Sequence, residues 1–535
     1  MTSKSRPAPP ATQRARHVDV AIIGSGFSGL GAAIKLKKLG THSFIVLERG
    51  ADVGGTWRDN TYPGAACDVP SQLYSFSFAR NPEWSRSFSA QPEIYQYLRT
   101  VAQDADVLGH HQFGCDVREA RWDNAAQQWH LDTSQGRITA RFVISGVGAL
   151  CEPALPAIPG IEDFEGQLFH SARWDHSADL TGKRVAIIGT GASAIQIVPA
   201  IAEKVATLDV FQRTAPWLLP RFDRPYTGLE KLAFKKVPGF QKAARAAIYA
   251  ARETQVVGLA KAPKLMLGLQ ALAQGMIRAQ IRDPELRRKV TPDFRIGCKR
   301  MLISNAYYPA LDRDNVDLVT EGIREVRPGS IITADGTERE IDALIVATGF
   351  HVTDSPMFSG IFGKDGRSLA DVFEESGMKG YKGTTVAGFP NFFFLVGPNT
   401  GLGHTSMVYM IESQLNYVVD ALKKIRKNNI ATFDVLPEAQ DEFNAGLQKN
   451  LQGTVWMTGG CGSWYLDKHG NNTTLWPGFT FSFRNMLKRF DQQAYAITVM
   501  DSHGMPASHQ TTASTATTGD SATGALADNS KGTQA

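Results

Sequence analysis

The stretch VDVAIIGSGFSG, residues 18–29, is an apolar run closing on Gly24, Gly26 and Gly29; RVAIIGTGASA, residues 184–194, repeats the pattern with Gly189, Gly191 and Ala194. In each, the apolar run has the length of a buried strand, the glycines allow a tight turn, and the residues beyond suit a helix. Lacking side chains, such a turn lets backbone N–H groups approach a pyrophosphate, which then lies at the positive end of the helix. One loop of this kind is weak evidence. Two in one chain, each in this setting, predict an α/β protein that binds two dinucleotides. The contacts expected are Gly24, Gly26, Phe27 and Gly29 in the first loop, and Gly189, Thr190, Gly191, Ala192, Ser193 and Ala194 in the second.

The residue at the end of the next strand tells the two dinucleotides apart. After the first loop SFIVLE, residues 43–48, ends at Glu48, whose carboxylate can accept hydrogen bonds from ribose hydroxyls. After the second, LDVFQRT, residues 208–214, carries Arg213 and Thr214. Arg213 follows Gly189 by 24 residues, the offset of Glu48 from Gly24, so a guanidinium is expected in the equivalent place. Its planar fork suits a 2′-phosphate. The first site is therefore read as FAD and the second as NADPH.

The 535 residues carry 43% hydrophobic and 20% charged side chains and a formal charge of +5, an ordinary globular composition with no dense basic tract for nucleic acid. No apolar run reaches the roughly 18 residues of a membrane span. Residues 1–17 read as a disordered leader and 502–535, rich in Ser, Thr, Gly and Ala, as a disordered tail. The fold expected is two Rossmann-like domains. The FAD domain takes 18–150 and 349–501, and the NADP domain takes 151–222 and 296–348, with a helical insertion at 223–295 inside it. A helix at about 405–427 is expected to aim its N-terminus at the flavin. The basic, apolar segment 261–282 has a membrane-seeking reading, but packing against the host domain is preferred. The five cysteines are scattered and form no C-x-x-C, which points to a reducing cytoplasm and away from a flavin disulfide reductase. The 12 histidines show no H-E-x-x-H or H-x-x-E-H spacing, so no metal is expected.

Between the loops lies FEGQLFHSARWD, residues 164–175, which fits the pattern F-x-G-x-x-x-H-x-x-x-W-[P/D] through Phe164, Gly166, His170, Trp174 and Asp175. The chain resembles the type I Baeyer–Villiger monooxygenases over about 18–485. The resemblance implies FAD held without a covalent bond, NADPH as reductant, and O2 activated as a flavin C4a-peroxide that converts a ketone to an ester or lactone. GGTWRDNTYPGAACD, residues 54–68, resembles the family's flavin-contacting segment and implies roles for Thr56, Trp57, Cys67 and Asp68. Further FAD contacts implied are Arg49, Tyr74, Val117 and Met407. CKRMLISNAYYPALDRDNVDLV, residues 298–319, resembles the segment that carries the catalytic arginine, here Arg300, with Lys299 beside it for NADP. Arg300 would stabilise negative charge on oxygen, and Asp68 would orient it. His170 has either a direct chemical part or the task of holding the domains in register. Trp464 resembles the tryptophan of a mobile loop that folds over NADP, and core packing is the alternative.

His351 after the Ala-Thr-Gly-Phe turn departs from the phenylacetone and cyclohexanone enzymes, which carry Asp there. Substrate choice is therefore not carried over. Trp57, Tyr62, Phe392–Phe394, Trp456 and Trp464 suggest an apolar substrate, a linear aliphatic or aryl ketone. Two alternatives stay open: a nitrogen- or sulfur-oxygenating flavoenzyme, and an NADPH–flavin reductase that makes no oxygenated product. The expected state is a monomer or weak homo-oligomer.

Overall fold

The computed structural model describes residues 16–500. Most of the expected leader and all of the expected tail lie outside the described residues. The first strand nevertheless starts at Arg16, inside the stretch read as leader.

The first glycine loop belongs to a mixed sheet. Strand Arg16–Ile23 lies between Phe44–Glu48 and Gly136–Ser145, parallel to both, and Phe392–Phe394 adds a further parallel strand against Gly136–Ser145. An antiparallel meander, Val117–Asp123 and Gln128–Thr133, extends the sheet. Helix Phe27–Lys38 and helix Met407–Lys427 pack together over this sheet. They cross so closely that a Cβ on Gly31 would stand 2.8 Å from Leu415.

The second loop belongs to a sheet of five parallel strands, in the order Val316–Val319, Thr207–Phe211, Arg184–Ile188, Ala343–Val346, Gln167–His170. The segment 164–175 therefore supplies an edge strand of this sheet. Its fixed positions have local structural causes. A Cβ on Gly166 would stand 2.5 Å from the Asp342 carbonyl oxygen and from the Phe164 ring. Trp174 sets its edge against Phe169, 4.9 Å between centroids, and Asp175 accepts from Ser177 N and Oγ at 2.8 and 2.6 Å.

The segment 223–295 holds four helices, Gly228–Lys236, Phe240–Glu253, Met266–Gln280 and Pro284–Val290. Thr227 and Glu230 close a capping box at its start. No single helix among the described residues is long and apolar enough to cross a membrane. The pair Phe240–Lys261 and Pro263–Gln280 bends by 114° at Pro263. Helix Phe240–Glu253 reaches back to the first sheet's surroundings, where Arg245 donates to the Gln72 carbonyl at 2.6 Å.

Candidate active site

At the first loop the backbone is closed on itself. Gly24 has φ +91°, and a Cβ on Gly29 would lie 1.8 Å from the Gly24 carbonyl oxygen. Only glycine fits there, and the cradle suits a diphosphate. Glu48 is buried, and its Oε2 accepts from Ser25 N at 2.8 Å while Oε1 accepts from Gly50 N and Arg58 at 2.7 and 2.8 Å. Arg58 was not anticipated: it stands inside the quoted segment, but a single guanidinium in sequence does not announce its partner. The Gly54 N–H donates to the Ser25 carbonyl at 2.9 Å and clamps segment 54–57, including Thr56, onto the loop. Trp57 then donates to the Tyr74 hydroxyl at 3.0 Å, and Phe27 packs edge-on against Tyr74. Met407 begins its helix behind Ser406, whose hydroxyl accepts from Val408 N. Val117 starts the meander and packs, partly buried, against the apolar core on that face of the first sheet. Arg49 turns outward to Glu152 and the Cys151 carbonyl of the interdomain linker.

The second loop is open. A Cβ on Gly191 meets nothing within 4 Å, and Gly191 and Ala192 are exposed. The Thr190 hydroxyl ties the loop to the Thr214 carbonyl at 3.0 Å, Ser193 precedes helix Ala194–Ile201 without a side-chain cap bond, and Ala194 is buried. Counting residues misplaced the strand end by one. Gly24 N donates to the Leu47 carbonyl, but Gly189 N donates to that of Phe211, so Gln212 is the counterpart of Glu48 and Arg213 lies one residue farther out. Gln212 is buried and donates to the Lys289 carbonyl at 2.7 Å, whereas Arg213 is exposed. Lys299 stands near it: burial and then the charge of Arg213 hold the ammonium below its ordinary pKa, against Asp293. Two cations beside an open glycine loop suit a 2′-phosphate.

Residue Gln196 joins the two halves. Its side chain accepts from the Tyr62 hydroxyl and donates to the Ala66 carbonyl, both at 3.0 Å. A few residues on, Arg300 grips Asp68 in a fork: Nε to Oδ2 at 2.9 Å, and Nη2 to Oδ1 and Oδ2 at 2.8 and 2.6 Å. Arg252, from the helical insertion, donates to the Asp68 carbonyl at 2.9 Å. Burial opposes ionisation of Asp68, but the charge and hydrogen bonds of Arg300 prevail and hold its carboxyl below the ordinary value. Asp68 in turn raises the Arg300 pKa, so the guanidinium stays charged. Its side chain keeps 44% of its exposure, so the pair is not sealed in the core. Burial pushes the Cys67 thiol up, which leaves it neutral and unreactive. Tyr465 is buried beside Arg300, and burial raises its phenol against the arginine's charge. Neither Gln196, Arg252 nor Tyr465 was foreseen.

His170 stands at the end of the edge strand. Its Nδ1 accepts from Ala172 N at 3.0 Å, its ring packs edge-on against Phe350, and burial lowers its pKa to about 4. Trp464 is 52% exposed, which removes core packing as its explanation. Phe392, Phe393 and Phe394 are buried in the first sheet and Trp456 in the second core, so these four do not line a substrate site. A parallel strand covered on both faces needs apolar residues in succession. The cysteines, scattered in sequence, are not all separate in the fold. Cys298 and Cys461, 163 residues apart, form a disulfide, while Cys67, Cys115 and Cys151 are free.

The flavin-binding monooxygenase-like family model matches residues 17–237. A Baeyer–Villiger monooxygenase of Streptomyces coelicolor is 50% identical over 482 residues, 90% of this chain and 93% of that protein. Another, of Pseudomonas aeruginosa, is 50% identical over 500 residues, 93% of this chain and 94% of that one. The chain belongs to the Baeyer–Villiger monooxygenases. The solved structure of cyclohexanone monooxygenase from Rhodococcus sp. Phi1 bound to NADP+ superposes with a TM-score of 0.79 at 28% identity, covering 88% of this chain and 97% of that one. As a member of this family the protein is an FAD- and NADPH-dependent monooxygenase with the two-domain α/β fold seen here.

Proposed function

We propose that this monooxygenase inserts one oxygen atom beside the carbonyl of an apolar ketone, linear aliphatic or aryl, with Arg300 as the catalytic cation and Asp68 as the residue that positions it. The fork between Arg300 and Asp68 carries this reading. In it, a charge from the second unit is fixed against a segment clamped to the first. FAD would occupy the domain formed by 18–150 and 349–501, and NADPH the one formed by 151–222 and 296–348, with the protein acting in the cytoplasm as a monomer or weak homo-oligomer. Bound FAD and NADPH supply the reducing equivalents and the place where O2 is activated.

The chain's own residues do the rest. Arg300 stabilises negative charge that grows on oxygen when the carbonyl is attacked, and it needs no proton bookkeeping because it stays charged. Asp68, fixed through its carbonyl by Arg252, sets the direction of the fork. Arg213 and Lys299 hold the 2′-phosphate. Trp464 closes over the nicotinamide and keeps water out. His170, neutral and engaged with Ala172, acts as a positioning residue at the domain crossover. Of the aromatics that suggest an apolar substrate, Trp57, Tyr62 and Trp464 are available to it. The test is NADPH oxidation with cyclic, linear and aryl ketones under labelled O2, with products identified by mass. Ester or lactone carrying one labelled oxygen is expected. NADPH consumption that yields hydrogen peroxide alone with every ketone overturns the reading.

A further inference from the structure

We propose that Cys298 and Cys461 form a reversible redox latch, closed by hydrogen peroxide, that ties the segment bearing Trp464 to the segment bearing Lys299 and Arg300. The two cysteines are bonded, with Cα atoms 6.1 Å apart, and lie two residues before Arg300 and three before Trp464. The surrounding backbone is shaped for the link. The Arg295 N–H donates to the Gly459 carbonyl at 2.9 Å, and a Cβ on Gly459 would stand 2.6 Å from the Cys298 Cβ and 2.8 Å from its sulfur. Glycine at 459 is thus what lets the strap lie against Cys298. Cys298 is fully buried and Cys461 half-buried, so peroxide reaches Cys461 first.

The Cys461 thiolate attacks one peroxide oxygen, the O–O bond breaks, hydroxide leaves, and a sulfenic acid remains. Cys298 then attacks that sulfur and displaces the second oxygen as hydroxide. Two thiols lose two electrons and the peroxide becomes two waters; a dithiol reductant reverses the change. The oxidant is the product that a flavin monooxygenase releases when it consumes NADPH and O2 without oxygenating a substrate. In the linked state Trp464 stands 52% exposed while its neighbour Tyr465 is buried beside Arg300. Holding the strap three residues away restrains the swing that would bring Trp464 onto the nicotinamide.

The latch rests on the proposed closure of Trp464 over NADPH, and its test separates the two. Wild-type holoenzyme is treated with hydrogen peroxide or with a dithiol, digested without reduction, and searched for the peptide pair joined through Cys298 and Cys461; half-buried Cys151 is the control thiol. In parallel, NADPH-driven flavin reduction is followed without ketone. We expect the linked peptide in the oxidised sample alone, and a KM for NADPH at least threefold lower in the dithiol-treated enzyme. Cys461→Ser should show the lower value under both treatments, and Cys298→Ser should behave alike. Failure of the pair to form under peroxide, or a linked enzyme with an unchanged KM, overturns the latch. A Trp464→Ala variant with wild-type KM in the reduced state would instead count against closure of Trp464.

Discussion

The two glycine loops are built on one plan and finished differently. The first is sealed: Gly29 touches Gly24, Glu48 is buried with both oxygens occupied by the surrounding backbone and Arg58, and segment 54–57 is bonded across it. The second is shallow: Gly191 faces open space, the third glycine is replaced by Ala194, and Arg213 and Lys299 stand at its edge. A closed cradle with internal bonds suits a cofactor that stays through every cycle. An open one rimmed by charge suits a cofactor that arrives and leaves, because affinity there comes from exposed ion pairs rather than from enclosure.

The largest effect should come from closing the closed loop further. Gly29→Ala places a Cβ 1.8 Å from a backbone oxygen that cannot withdraw, and the purified protein should carry no flavin, as read from its visible absorbance. Gly191→Ala is the matched change in the open loop. It should leave the flavin content intact and weaken NADPH alone, because its Cβ enters the open space in which the proposed NADPH would lie. Equal loss of flavin in both variants would erase the contrast. Next in size is Arg300→Ala, which should retain FAD and its reduction by NADPH yet lose roughly a hundredfold or more in ester formation. Arg300→Lys should fail also, since an ammonium cannot reproduce the fork on Asp68. Arg213→Ala should raise the KM for NADPH about tenfold, equivalent to about 1.4 kcal/mol, and leave that for NADH unchanged. Wild-type use of both nucleotides at equal KM would break the assignment of the second loop.

These contrasts were unevenly legible in the sequence. Both loops, their flanking strands and the helical insertion follow from glycine spacing and apolar periodicity, which are local. The register was not: whether Gln212 or Arg213 faces the ligand depends on how far the second helix and its turn carry the chain, and counting missed this by one residue. Asp68 and Arg300 are legible through a family resemblance, not through spacing, since a separation of 232 residues carries no mark of their contact. Gln196, Arg252 and the Cys298–Cys461 pair are single side chains on separate elements, joined by the fold alone. The run Phe392–Phe394 is legible as a strand, but its rings fill the core rather than offer a surface to substrate, a distinction that aromatic residues in succession do not mark. In segment 164–175, by contrast, the sequence pattern and the structural need coincide at Gly166, Trp174 and Asp175.

The smallest predicted effect concerns the place where the two regions meet. His170 ends the edge strand of the second sheet, and its ring lies 5.8 Å from that of Phe350, on the segment through which the chain returns to the first. Its Nδ1 accepts from Ala172 N, so the folded protein holds the imidazole neutral, and protonation there would break the bond. Burial takes its pKa from 6.5 to about 4. Between those values the unfolded chain binds a proton that the folded chain refuses. Stability is therefore fully present above about pH 6.5 and falls as the pH drops towards 4, by an amount on the order of 3 kcal/mol. His170→Asn can still accept from Ala172 N through its amide oxygen but does not titrate. Melting temperatures of both proteins between pH 7.5 and about 4 should converge on acidification, as wild type loses stability that the variant never gained from a neutral imidazole. Parallel curves would show that the crossover tolerates a charged imidazole and that His170 does not hold the two regions in register through its neutral form.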